Sequence, residues 1–181
     1  QEDLAACKIL GADALHRQIP DCIYRVDPAT GTPLYLSDDD IFGAVHPADK
    51  YLVDDIAAIL GALPPCNRIV APLGIGNHVD HQITRSAARR CFGDRLEFYE
   101  DYPYVQTPGS LDFLRFDPKI RWIPAVVAVN ASGLMAKVEA ILAYQSQMST
   151  FFQDREDLEK QVAGYARLVG GERIWRSRLP I

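Results

Sequence analysis

Positive charge is scarce in this 181-residue chain: 19 lysines and arginines face 24 aspartates and glutamates, a formal charge of -5. Nucleic-acid binders rely on phosphate neutralisation by a basic face, so this balance argues against such a role. Long apolar runs are missing too. None approaches the ~18 residues of a bilayer-spanning helix, so no membrane insertion is expected. The segment from Gln1 carries no basic-then-apolar leader pattern, and the reading is a cytoplasmic protein. Cysteines are few. Cys7, Cys22, Cys66 and Cys91 lie far apart with no C-x-x-C pair, which argues against a zinc knuckle or a dense disulfide framework and fits reduced thiols. Internal repeats and low-complexity segments are absent. What remains is globular: 48% hydrophobic and 24% charged residues, enough chain for a single domain over 1–181.

The first residues read as a helix with apolar Leu4, Ala5, Ala6, Ile9 and Leu10, stopped by Gly11. Pro20–Val26 reads as a short strand. Turn residues Asp27–Pro33 follow, and Leu34–Leu36 is expected to pair back as a hairpin. Leu52, Val53, Ile56, Ile59 and Leu60 recur at helical spacing within Pro47–Leu60. Arg68–Leu73 is a short apolar run of the kind found in an inner, parallel strand. A loop follows from Gly74 to Asn77, then a helix from Val79 to Phe92 ended by Gly93, then a strand from Leu96 to Tyr99. Alternating helices and strands predict an α/β fold of Rossmann-like type, a mostly parallel sheet with helices on both faces. After Pro103 the chain reads as irregular, and Ala136–Tyr144 and Asp157–Val169 read as closing helices. Trp122, Trp175, Phe151 and Phe152 are assigned to the core. Arg173, Arg176 and Arg178 are assigned to the surface, as is the charged run Asp154–Asp157.

The chemistry-bearing segment is Leu73-Gly74-Ile75-Gly76-Asn77-His78-Val79-Asp80-His81-Gln82. It follows the carboxyl end of a predicted strand, where open α/β sheets bind ligands. His78 and His81 share a helix face at a spacing of three, and Asp80 is placed to fix an imidazole tautomer. The bland alternative is a polar helix start with solvated histidines. A dinucleotide loop is disfavoured because Val79 stands where G-x-G-x-x-G needs its third glycine.

With these residues in view, the chain resembles the PIG-L or LmbE-like zinc-dependent N-acetylglucosaminyl de-N-acetylases. The resemblance rests on the H-x-D-H of His78–His81 after a strand and glycine loop. It extends to Ala5–Gly11 as an A-A-x-x-L-G helix end and to Phe98–Tyr104 as a Y-E-D-x-P-Y segment. Lys137–Ala140 with Ser146-Gln147 matches a late K-x-x-A and S-Q helix. The resemblance implies that His81 ligates zinc, that His78 faces the substrate carbonyl and that Asp80 tunes His78. In the family a zinc-bound water attacks an N-acetyl carbonyl. Tyr99, Glu100 and Asp101, ending a strand beside the site, are candidate substrate-binding residues. The family's H-P-D-D-E segment, which supplies the other ligands and the base, has no counterpart here, so the chain reads as N-terminally truncated relative to the family. His46-Pro47-Ala48-Asp49-Lys50 mimics it but carries Ala48 and Lys50 where acids are needed. His46 and Asp49 are therefore expected away from His81, at a helix start.

The first hypothesis is a hydrolase that uses zinc to remove an N-acetyl group from an amino-sugar or other N-acyl small molecule. The alternative is a metal-free scaffold or binding protein that keeps the fold; a nucleotide-binding domain ranks third. The sequence leaves the substrate and a homo-oligomeric state open.

Overall fold

The computed structural model describes residues 1–178. In chain order the helices are α1 (Glu2–Leu10), α2 (Asp38–Ile41), α3 (Leu52–Gly61), α4 (Val79–Phe92), α5 (Ala131–Leu142), α6 (Gln145–Phe151) and α7 (Arg155–Val169). The strands are β1 (Ile69–Pro72), β2 (Leu96–Tyr99), β3 (Arg121–Val127) and β4 (Glu172–Arg178). The residues group into two compact units. One holds Gln1–Gln18 and Val126–Arg173; the other holds Ile19–Ala125 and, of the described residues after it, Ile174–Arg178. Among the described residues no helix is long and apolar enough to cross a membrane.

The second unit contains the site. Its sheet has the order β1-β2-β4-β3. β1 and β2 run parallel, with Ile69 opposite Leu96 and Pro72 opposite Tyr99. β2 and β4 run antiparallel, with Phe98 opposite Trp175. The α/β class expected from the sequence is what the structure shows, but the sheet is mixed where a mostly parallel one was expected. β1 is also an edge strand among the described residues, not an inner one, and Val70 is exposed. Pro72 suits that edge, because it has no N–H to offer a further neighbour. The buried face carries Ala71, Leu73, Leu96 and Phe98, and α4 lies on it with Val79, Ile83, Ala87 and Ala88 buried. α3 packs on α4.

Glu97 sits on β2 with almost no exposure, yet it is charged. Arg176 on β4 donates to it, and Arg68 beside β1 does the same. Burial pushes the Glu97 carboxyl up, but the two guanidiniums outweigh it and hold the carboxyl below the usual range. A carboxyl with a lowered folded value contributes stability above its unfolded range, near 4.5, and loses it as pH falls through the folded value. Both arginines are half exposed, so solvent discounts the pair energies. Glu97→Gln is expected to cost about 1–2 kcal/mol at neutral pH. Denaturation across pH should show a constant gap from wild type down to about pH 5, narrowing below. A gap that widens in acid would contradict this.

Before the sheet, Pro20–Val26 does not form the strand read from sequence. Asp21 caps a 3-10 turn, Cys22–Tyr24, by accepting from the Ile23 N–H at 3.2 Å. The hairpin reading survives as a single antiparallel bridge, Val26 with Pro33. Cys22 and Tyr35 from this segment pack against Val79 at the start of α4, supported by Leu34, Ile41 and Val45.

The first unit is helical. α1 packs on α5, and α5 meets α6 and α7. α1 ends at Gly11 in the left-handed conformation, as its sequence predicts. Of its apolar residues only Ala6 is buried; Leu4, Ile9 and Leu10 are largely exposed. The Ser146 N–H and hydroxyl both donate to Glu2, and Lys137 pairs with Glu172 at 2.6 Å.

Candidate active site

The loop between β1 and α4 carries the site. Gly74, Gly76 and Asn77 all have positive φ, so the chain reverses sharply at the strand end. A Cβ on Gly76 would stand 2.8 Å from Cγ of Tyr104 in a backbone conformation L residues avoid. Gly76→Ala is therefore expected to lower stability by about 1–3 kcal/mol, measurable by chemical denaturation. An unchanged midpoint would show that the loop is not constrained as described. Asn77 donates from its side chain to the Phe42 and Gly43 carbonyls at 2.9 and 3.0 Å, tying the loop to the end of α2.

Asp101 organises this loop. It is fully buried just past β2, and one carboxylate oxygen accepts from the Gly74 and Ile75 N–H groups at 2.7 and 2.8 Å. Its other oxygen lies 2.5 Å from Nδ1 of His81. An ionised carboxylate only accepts, so the His81 proton sits on Nδ1 and Nε2 is left with a lone pair. Sequence reading placed Asp101 among substrate-binding candidates; the structure commits its carboxylate to His81 and the loop. Glu100 is buried too, accepting from the Trp175 indole N–H at 2.8 Å. Tyr99, at the strand end, stays partly exposed.

His78 is the N-cap of α4. Its Nδ1 accepts from the Asp80 N–H at 3.2 Å. The neutral ring therefore carries its proton on Nε2, which lies 4.0 Å from Sγ of Cys22. Burial lowers the His78 pKa and neighbouring His81 lowers it further, so the neutral ring is favoured. The His78 and His81 ring centroids are 5.3 Å apart, and Phe42 meets His78 edge-on at 5.5 Å. The spacing of three thus does bring the two imidazoles together.

The Asp80 carboxylate contacts the Arg25 guanidinium at 2.5 Å and accepts from the Cys22 N–H at 3.2 Å; it makes no hydrogen bond to the His78 ring, but its charge acts on that ring and favours the protonated form. Arg25 is buried, and its Nε lies 2.7 Å from Asp49. Asp49 also accepts from the Tyr35 hydroxyl at 2.9 Å, and that hydroxyl accepts from the His46 N–H at 3.1 Å. Asp49 is thus a buried partner of Arg25. His46 caps a 3-10 turn, Pro47–Asp49, with Nδ1 on the Ala48 N–H, as a helix-start reading expects. Arg25, Cys22 and Tyr35 were not found by sequence reading. The one available signal was a lone arginine between hydrophobics, in a segment read as a strand.

Zinc, implied by the family resemblance, was tested against the donors. His81 suits a metal: a carboxylate on Nδ1 that leaves the Nε2 lone pair unused is the usual arrangement of a ligating imidazole. A catalytic zinc takes about three protein ligands. Among the described residues the only close set of three donor side chains is Cys22, His78 and Asp80, with ligand atoms within 4.8 Å of one another. That set does not suit zinc. Burial, reinforced by Asp80 and Asp21, pushes the Cys22 thiol up to about 12, and the Asp80 carboxylate is committed to Arg25. The described residues therefore offer one well-prepared donor, His81, and not a complete site.

Comparison with known proteins gives a consistent class. No family model matches the chain. It is 28% identical over 160 residues to the 2'-N-acetylparomamine deacetylase of Streptomyces fradiae, covering 81% of this chain and 52% of that protein. The chain thus spans about half the length of the curated relative it matches. Among solved structures it is similar to the zinc-inhibited form of the teicoplanin deacetylase Orf2, with a TM-score of 0.80, 24% identity and coverage of 99% of this chain and 73% of that one. A deacetylase–bog complex from the teicoplanin biosynthesis pathway matches with a TM-score of 0.78 and 26% identity, covering 99% and 72%. The A40926 pseudoaglycone deacetylase Dbv21 matches with a TM-score of 0.71 and 24% identity, covering 98% and 69%. The fold is that of these deacetylases. The sequence and structural matches agree with the resemblance to LmbE-like de-N-acetylases.

Proposed function

We propose that this chain carries the His-x-Asp-His half of a cytoplasmic hydrolase that cleaves the acetyl amide of an amino-sugar-containing small molecule, with zinc as its metal. The observation that carries the reading is the His81–Asp101 bond, which leaves Nε2 of His81 as a metal donor on a ring 5.3 Å from that of His78. In this reading water adds to the amide carbonyl, the C–N bond breaks, and acetate and a free amine leave. His78 donates from Nε2 to the oxygen on which negative charge develops. Asp101 holds His81 in one tautomer and orientation. Arg25 and Asp80 fix the segment bearing Cys22 against the start of α4. Tyr99 is the residue of the strand end left able to touch substrate.

A second reading is a metal-free scaffold with this fold, favoured by the single prepared donor among the described residues. Full-length protein incubated with N-acetylated amino sugars and aminoglycosides, with and without added zinc, separates the two. Release of free amine and acetate in equal amounts, read by amine derivatisation and proton NMR, supports the hydrolase. Ligand binding with neither product supports the scaffold.

A further inference from the structure

A cavity of about 590 Å³ opens beside the Gly74 loop, on the side of α4 that carries Gln82, Arg85, Ser86 and Arg89. These residues stand at spacings of three and four, so one helix stripe forms a wall. The Gly74–Asn77 backbone, Ser110 and Phe113 form the rest. The lining holds two guanidiniums and no carboxylate.

Arg85 is the unusual member. Its guanidinium lies 5.4–5.7 Å from the ring centroids of Trp122, Phe113 and Phe98 and passes over Gly74. Three aromatic faces hold it in place, yet it makes no hydrogen bond or ion pair with any described residue, and neither does Arg89. Burial lowers the Arg85 pKa, and the charge of Arg89 lowers it further; only Asp101 acts the other way, and its carboxylate is already bonded to Gly74, Ile75 and His81. A half-buried guanidinium remains charged, and its N–H donors, unpaired with protein at the cavity wall, are available to an anion. The planar fork matches the oxygens of a carboxylate or phosphate.

We propose that this cavity is a binding site for an oxyanion group, carboxylate or phosphate, on a polar small molecule, with Arg85 as the preoriented anchor and Arg89 as the second cation. The cavity lining does not include His78 or His81, but it shares with their centre the loop that Asp101 holds. A polycationic ligand would meet two guanidiniums here and be repelled.

The test is calorimetric titration of the full-length protein with inorganic phosphate and with citrate at constant ionic strength. Saturable binding of at least one probe is expected. Arg85→Met and Arg89→Met should each weaken it at least about tenfold, while Arg167→Met, on the exposed face of α7, leaves it unchanged. The preferred probe tells phosphate from carboxylate. Amide resonances of Gly74 and Gly76 should move with the same saturation curve. No saturable binding of either probe, or equal affinity in wild type and Arg89→Met, overturns the proposal even where Arg85→Met fails to fold. Neither readout depends on hydrolysis.

Discussion

Arg25→Met will destabilise the protein by about 3–5 kcal/mol, the largest stability loss expected from any single side chain of the site. Arg25 is buried and lies between two carboxylates, Asp49 at 2.7 Å and Asp80 at 2.5 Å. Burial opposes its charge, but Asp80 and Asp49 raise its pKa above the ordinary value. Methionine fills much of the same volume, so the loss reads charge rather than cavity. It leaves Asp49 in a buried site with only the Tyr35 hydroxyl, and Asp80 with only the Cys22 N–H. Asp49→Asn should cost less, because Arg25 keeps Asp80. Urea denaturation checks the order, and a loss below about 1 kcal/mol for Arg25→Met would show that the network carries little. Asp80→Asn belongs to the same experiment: it should act mainly through stability, since the Asp80 carboxylate is bonded to Arg25 and the Cys22 N–H rather than to the His78 ring.

The second large effect concerns turnover by the full-length protein. His81→Ala is expected to abolish measurable deacetylation. His78→Ala should lower the rate about 10²–10³-fold, the usual effect of removing one donor to a developing oxyanion. Asp101→Ala should lower activity roughly 10–100-fold by freeing the His81 ring, with added instability from the released Gly74 and Ile75 N–H groups. Product release followed over time ranks the variants. Wild-type turnover in His78→Ala would place the reacting amide elsewhere.

Much of this was legible in the residues. Val79–Phe92 and Leu96–Tyr99 lie where periodicity and the Gly93 stop placed them, because those signals are local. The pairing of His78 with His81 follows from helix geometry alone. β3 and β4 escaped because their signals are weak. β3 carries Pro124, and β4 interleaves Ile174 and Trp175 with three arginines. Reading those arginines as surface charge holds for Arg176 and Arg178, which are exposed, but Arg173 is half-buried and donates to the Tyr165 hydroxyl, and the reading missed that Arg176 neutralises buried Glu97. The edge position of β1 was hidden because an apolar run reports burial on one face as readily as on two. The Arg25–Asp49–Asp80 network joins three segments far apart in sequence, and no local pattern encodes such a meeting. Asp101 was found as a residue of interest, but its role depends on a tertiary contact with His81.

In the proposed function His81 is a metal ligand and His78 is not. Zinc content of purified full-length protein, measured by atomic emission for wild type, His81→Ala and His78→Ala, tests it most directly. About one zinc per chain is expected in wild type and His78→Ala, and strong loss in His81→Ala. Equal zinc in all three, or equal loss in both histidine variants, would contradict it.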